Sequence, residues 1–63
     1  MRTFIVEFEY YHRKHGKCRD KAVVHSRDKV DAILRTLQEA AGLGSDSSVV
    51  ECNEVTDIVL LLD

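Results

Sequence analysis

Hydrophobic and polar residues alternate at the start of the chain with the period of a half-buried β-strand. Residues 3–11 read TFIVEFEYY, and the period of two places Phe4, Val6, Phe8 and Tyr10 on one face. A second strand, roughly Cys18–His25, follows Gly16. We therefore predict a β-hairpin with one face turned toward the core.

Gly16 predicts the register of this hairpin. It suits the left-handed last position of a three-residue loop, Lys14-His15-Gly16. A two-residue loop, His15-Gly16, would instead place Lys21 and His25 on the core face. With the three-residue loop the facing pairs are Arg13–Lys17, His12–Cys18, Glu9–Lys21, Phe8–Ala22 and Val6–Val24.

A helix is predicted after the hairpin. Ser26 is a good N-cap residue, and Asp28 lies where the helix dipole favours a carboxylate. Gly42 or Gly44 is expected to end the helix. The apolar stripe that should face the sheet, with Leu37 buried at its middle, consists of Val30, Ile33, Leu34, Leu37 and Ala41.

The remaining residues predict one or two strands. After a loop at Ser45–Ser48, Val49–Cys52 is a candidate short strand and Val55–Leu62 a strong one, with Asn53-Glu54 as a tight turn or a bulge between them. The order is β-β-α-β, or β-β-α-β-β. We expect an α+β fold in a single domain, 1–63, with one amphipathic helix on a three- or four-stranded antiparallel sheet whose central strand is the first.

Charge is divided unevenly along the 63 residues. Residues 1–35 contain all nine Lys and Arg with five acids, a net charge of +4, whereas residues 36–63 contain six acids and no Lys or Arg, a net charge of −6. Such an asymmetry can mark an interaction surface, or the two halves can compensate each other after folding.

The composition also indicates the cellular compartment in which the protein works. The two cysteines, Cys18 and Cys52, are too few for a disulfide scaffold. Glu7 and Glu9 interrupt the apolar start, and the longest apolar run, Ile58–Leu62, is far shorter than a bilayer span. We expect a cytoplasmic protein that does not enter a membrane.

The segment YYHRKHGKCRDK, residues 10–21, raises the question of a metal site. His12, His15 and Cys18 are zinc-ligand types, but they lack a paired C-x-x-C knuckle and a fourth ligand nearby. The run Gly42-Leu43-Gly44-Ser45 lacks the lysine of a phosphate loop and follows a helix. We expect no metal, no cofactor and no enzymatic activity.

The same hairpin tip is the best candidate binding site. The residues assigned to it are Tyr11, Arg13, Lys14, Lys17 and Arg19. Cations beside an aromatic ring suit an acidic protein partner, and they also suit a phosphate backbone with stacked bases. A solvated hairpin end whose charges prevent edge-to-edge association is the simpler alternative.

Apolar residues are predicted on both faces of the sheet, although one helix can cover only one. Ile58–Leu62 alternates between the faces, and Ile5 and Val23 belong to the second face. An apolar second face commonly marks an interface. We therefore expect a homodimer, and a small accessory or regulatory module that binds a protein partner of unknown identity. The alternative is a nucleic-acid-binding protein that uses the basic hairpin at residues 11–21.

Overall fold

The computed structural model describes residues 1–55 and shows an α+β fold. Its elements are β1 (Arg2–His12), β2 (Gly16–Ser26), α1 (Lys29–Ala41) and β3 (Ser45–Val55). The sheet order is β2-β1-β3, and β1 is antiparallel to both neighbours. The predicted fold, with β1 at the centre and the helix on one face, is confirmed.

The core forms on the even-numbered face of β1. Phe4, Val6 and Phe8 are buried there, as the alternation predicts. Phe4 and Val6 form one cluster with Ala32 of α1 and Cys52 of β3. Burial raises the pKa of the Cys52 thiol, which keeps it in the neutral form suited to an apolar contact. The central strand thus contributes most of the large side chains in the core.

The hairpin register differs from the predicted one by two residues. The turn is Arg13-Lys14-His15, and Gly16, with φ 74°, begins β2 instead of ending the loop. Each side chain keeps its predicted face because the shift is even. The predicted pairing of His12 with Cys18 is wrong, and the observed pairs are His12–Gly16, Tyr10–Cys18, Glu9–Arg19, Phe8–Asp20 and Val6–Ala22.

Helix α1 begins two residues later than predicted. Asp28, and not Ser26, is the N-cap, and its Oδ1 accepts a hydrogen bond of 2.8 Å from the Asp31 amide. Ser26 is the last residue of β2 and is fully buried; its hydroxyl donates to Asp31 Oδ2 at 2.6 Å. Asp31 also pairs with Arg35 at 3.0 Å. These contacts join the end of β2 to the first turns of the helix.

The helix packs on the sheet through small side chains. Ala32, Thr36 and Ala40 are buried at spacings of four residues, and the Thr36 hydroxyl donates to the Ala32 carbonyl at 2.9 Å. The short side chains let the helix approach the large residues of β1 closely. The sheet-facing stripe is therefore one of small residues.

The predicted aliphatic stripe is wrong in part. Val30 and Leu34 are 67% and 54% exposed, and Ala41 is exposed as well. Ile33 and Leu37 are half-buried, so Leu37 lies at the border of the helix–sheet contact and not at its middle. Periodicity identified the helix, but residue size and not hydrophobicity alone decided which face turned inward.

Strand β3 is continuous from Ser45 to Val55. The predicted loop at Ser45–Ser48 and the turn at Asn53-Glu54 are wrong, because all these residues pair along β1 or lie within the strand. Register shifts occur instead opposite Glu7/Phe8 and opposite Glu9/Tyr11. The predicted strand Val55–Leu62 lies, beyond its first residue, outside the described residues.

The helix contact can be tested with two adjacent alanines. Ala40→Leu adds three carbons to a fully buried site and should cost about 1–3 kcal/mol of unfolding free energy through overpacking. Ala41→Leu makes the same change at an exposed site and should change it by less than about 0.5 kcal/mol. Urea unfolding measures both values. Equal midpoints would contradict the assignment of the buried face.

The Ser26–Asp31 contact predicts a dependence of stability on pH. The hydrogen bond from Ser26 lowers the pKa of Asp31, partial burial opposes this, and the charge of Arg35 adds to it. Because the folded-state pKa lies below the unfolded value, the stabilisation is complete above that value, about 3.9, and is lost as pH falls through the folded pKa.

Asp31→Asn should therefore lower the unfolding midpoint most at neutral pH, and its difference from wild type should shrink below about pH 4. Asp28→Asn keeps a capping oxygen and should remain close to wild type. Thermal unfolding at several pH values measures both. A difference for Asp31→Asn that does not change with pH would show that its ionised form is not what stabilises the fold.

Candidate functional site

The side of the sheet that faces away from α1, here called the outer face, is built from alternate residues of each strand. No element of residues 1–55 packs against it. Its side chains from β1 and β2 are Thr3, Ile5, Glu7, Glu9, Tyr11, Lys17, Arg19, Lys21, Val23 and His25. An acidic row on the central strand thus lies beside a basic row on β2.

The two charged rows form a ladder of ion pairs. Lys17 Nζ lies 3.3 Å from Glu9 Oε2, and the Arg19 guanidinium lies 3.4 Å from Glu9 and 3.1 Å from Glu7. Lys21 Nζ is 4.0 Å from Glu7 Oε1. Each carboxylate therefore meets two cations, and Arg19 joins the two acids.

The ladder favours the ionised form of Glu9. Partial burial disfavours ionisation of Glu9, but the hydrogen bond and charge of Lys17, together with Arg19, outweigh it and lower the pKa of Glu9. The side chains of Glu7 and Glu9 are only 18% and 20% exposed, whereas their partners are more than half exposed. The basic groups form the outermost layer of this face.

The hairpin tip lies at one end of the ladder. Arg13 and Lys14 occupy the turn and form no ion pair with residues 1–55. Tyr11 is 53% exposed and faces Lys17 across the strand pair. The tip therefore presents an aromatic ring among cations, as the sequence predicts.

Two histidines give the turn its shape. The His12 and His15 rings stack with centroids 4.6 Å apart, and the Lys14 amide donates to His12 Nδ1 at 3.0 Å. That hydrogen bond requires His12 Nδ1 to be unprotonated. Within the described range, no group of three or more His, Cys, Asp and Glu residues could hold a metal ion. The histidines thus have a local structural role in the turn.

All five predicted binding residues are exposed, and the structure brings them together at one end of the sheet. Tyr11, Lys17 and Arg19 lie on the outer face, and Arg13 and Lys14 lie in the turn. Sequence reasoning missed that Glu7 and Glu9 neutralise Lys17 and Arg19. The alternation of the two acids along β1 was the available signal, since it places both on the face that carries the basic row.

The other end of the outer face is apolar. Ile5 is half-buried and faces Val23, which is 54% exposed. The Thr3 hydroxyl and His25 Nδ1 lie 3.0 Å apart beside them. Both Ile5 and Val23 lie on the second face as predicted, whereas the predicted contribution of Ile58–Leu62 concerns residues outside the described part of the chain.

The loop after α1 supports the tip from behind. Residues 41–45 and the tip residues Tyr11, His12 and Arg13 surround a cleft of about 630 Å³. A Cβ built on Gly44 would lie 2.1 Å from the Tyr11 carbonyl oxygen, so only glycine allows this approach. The loop and the base of the tip are therefore in direct backbone contact.

Residues 1–55 include no helix of sufficient length and apolarity to cross a membrane. Comparison of the chain with protein-family models, curated proteins and solved structures gave no match. The function is therefore inferred from the residues of the outer face and the hairpin tip.

The backbone contact at Gly44 can be tested against a neighbouring glycine. Gly44→Ala forces Cβ into the Tyr11 carbonyl and should destabilise the fold by more than about 1 kcal/mol. At Gly42 a Cβ would meet nothing closer than 3.4 Å, so Gly42→Ala should be tolerated within about 0.5 kcal/mol. Chemical denaturation measures both. Wild-type stability in Gly44→Ala would mean that the loop does not lie against Tyr11.

Proposed function

We propose that this chain is a small, non-catalytic accessory or regulatory module that binds a protein partner through its outer face and hairpin tip. The observation that carries the proposal is the open outer face, where exposed apolar and aromatic side chains lie at either end of a charged ladder. Val23 is 54% and Tyr11 is 53% exposed on this one surface. Mixed apolar and charged surfaces of this kind suit recognition of another protein.

The charged groups of the outer face favour binding of a partner over catalysis. Lys17, Arg19 and Lys21 each lie within 4.0 Å of Glu7 or Glu9, and these contacts favour one arrangement of the basic row before a partner arrives. Arg13 and Lys14 add two cations at the tip that no described carboxylate neutralises. A partner with acidic residues opposite the tip, and an apolar group opposite Val23, would complement the surface.

We also propose that the outer face supports a homodimer, and that the protein works in the cytoplasm. The apolar end at Ile5 and Val23 provides the patch that a second copy would cover. A chain with only two cysteines is too poor in them for the disulfide scaffold common in small secreted domains, which supports the cytoplasm.

Nucleic-acid binding is the second candidate, and the tip is the observation that favours it. Tyr11 offers a ring for stacking beside Lys17, and Arg13 and Lys14 offer contacts for phosphates. The neutralisation of Lys17 and Arg19 by the acids of β1 weakens this candidate, because it leaves only two uncompensated cations on the tip among the described residues.

Capture experiments with matched variants test these proposals. Arg13→Glu/Lys14→Glu reverses the charge of the hairpin tip. The control, Arg27→Glu/Lys29→Glu, makes the same charge change at exposed residues that lie before and at the start of α1. Val23→Lys alters the outer face, and Leu34→Lys alters an equally exposed site on the helix. Each immobilised variant is exposed to lysate of its host, and bound protein and nucleic acid are identified.

A discrete protein should be retained by wild type and by both controls, and it should be depleted by the tip and face variants and unaffected by nuclease. Recovery of nucleic acid that falls steeply with salt and disappears after nuclease treatment would favour the second candidate instead. Sedimentation of the same variants tests the dimer, which Val23→Lys should split. Equal capture by all variants would contradict both candidates.

A further inference from the structure

The free edge of β2 adjoins a groove that lies toward α1 and also reaches Val23 and His25 of the outer face. Within residues 1–55, β2 pairs only with β1, so its other edge has no strand partner. A groove of about 550 Å³ lies between this edge and α1. Its apolar walls include Phe8, Ala22, Val24 and Leu43, and the last of these is 47% exposed.

We propose that the β2 edge binds an extended peptide strand in which acidic residues alternate with aliphatic residues. The proposal rests on the proposed function as a protein-binding module and specifies the chemistry of its partner. An added strand would continue the sheet by backbone hydrogen bonds, and its alternate side chains would point to opposite faces. On one side they would meet the groove, and on the other they would meet the basic row.

Charge complementarity identifies the acidic positions, because the three cations of the basic row outnumber the two carboxylates of β1 that pair with them and leave one positive charge in excess. Lys17, Arg19 and Lys21 occupy every second position on the outer side of β2, with side chains 64%, 57% and 69% exposed. Side chains directly opposite them on an added strand would be about 4.5–5.5 Å away at Cβ, within range of an ion pair. Acids at every second residue of the ligand match this spacing.

The opposite side of the same edge excludes acids and favours aliphatic groups. Asp20 is exposed on the inner side near the tip, where it would repel a carboxylate. Farther along, Ala22 and Val24 border the groove from β2. Arg35, Thr36 and Glu39 of α1, with Leu43 just after the helix, form the opposite wall. Aliphatic side chains of the ligand would cover Leu43, Ala22 and Val24, the apolar wall residues that still have exposed surface.

The strand already bound to β2 has the same pattern. β1 places Glu7 and Glu9 against the basic row and Val6 and Phe8 on the core side. A ligand strand of this type would enclose the basic row between two acidic rows. A second copy presenting its own β2 fits poorly in antiparallel registers centred on residues 19–21, because they set Arg19 and Lys21 against like charges.

The probe that tests the inference is a capped, dye-labelled octapeptide of alternating valine and glutamate, compared with the valine–lysine peptide of the same length. Fluorescence anisotropy measures binding to the full chain, and amide hydrogen exchange locates it. The valine–glutamate peptide should bind and should protect amides of β2 but not of β3. The valine–lysine peptide should bind at least about tenfold more weakly, since it sets like charges against the basic row.

Matched variants separate the edge from the tip. Lys21→Gln removes a cation of the edge and should weaken peptide binding about 1.5- to 5-fold, whereas Lys14→Gln removes one at the tip and should not. Leu43→Ser should weaken binding through the groove, whereas Leu34→Ser, on the outward side of α1, should not. Thermal unfolding of each variant verifies that it is folded.

Equal affinity for the two peptides, protection located on β3, or no binding at millimolar peptide would overturn the inference. If the peptide fails to bind while the tip and face variants still lose a captured protein, the edge inference falls and the proposed function stands. If no variant affects capture and the peptide does not bind, the edge inference and the proposed function are both contradicted.

Discussion

The fold depends on the close contact between α1 and the central strand. Because Ala32, Thr36 and Ala40 are short, the helix lies directly on the large side chains of β1 and seals Phe4 and Val6 from water. A chain of 63 residues can form only a thin core, so each contact in it carries a large share of the stability. The position of the helix then determines which sheet face is open and which edge of β2 borders a groove.

Alternation and helical periodicity were sufficient to predict the hairpin, the helix and the strand that follows it, but not the extent of β3. The period of two in β1 gave the buried face, because every second residue there is apolar. The hairpin register could not be predicted, since basic residues at 17, 19 and 21 offer acid–base pairs after any shift by two. The helix face could not be predicted either, because counting aliphatic residues ignores the closer approach that small ones permit. The five candidate tip residues are exposed, as the sequence suggested, but the neutralisation of Lys17 and Arg19 could be seen only from the observed pairing.

The charge asymmetry of the sequence has a different meaning in the folded chain. Within residues 1–55 the basic residues of β2 meet acids of β1, which belong to the same half of the sequence, and not the acids of the second half. Among residues 1–55, only Arg2 pairs with an acid of β3, where its guanidinium lies 2.7 Å from Glu54. The two edges of the sheet consequently keep opposite signs, and the surface is polarised from one edge to the other.

The irregular pairing of β3 helps to determine its register against β1. At the first irregularity, two residues of β3, Val50 and Glu51, lie opposite one residue of β1, Glu7. The second irregularity includes Asp46, whose φ is 52°. The first irregularity brings Val49 opposite Phe8 and Cys52 opposite Val6, three residues apart and yet on one face. A β3 displaced by two residues would lose this match, whereas the uniform β1–β2 ladder tolerates such a step. The register of the two strand pairs is thus determined differently. The turn sets the register of the hairpin, whereas the irregular pairing within β3 sets the register of the last strand.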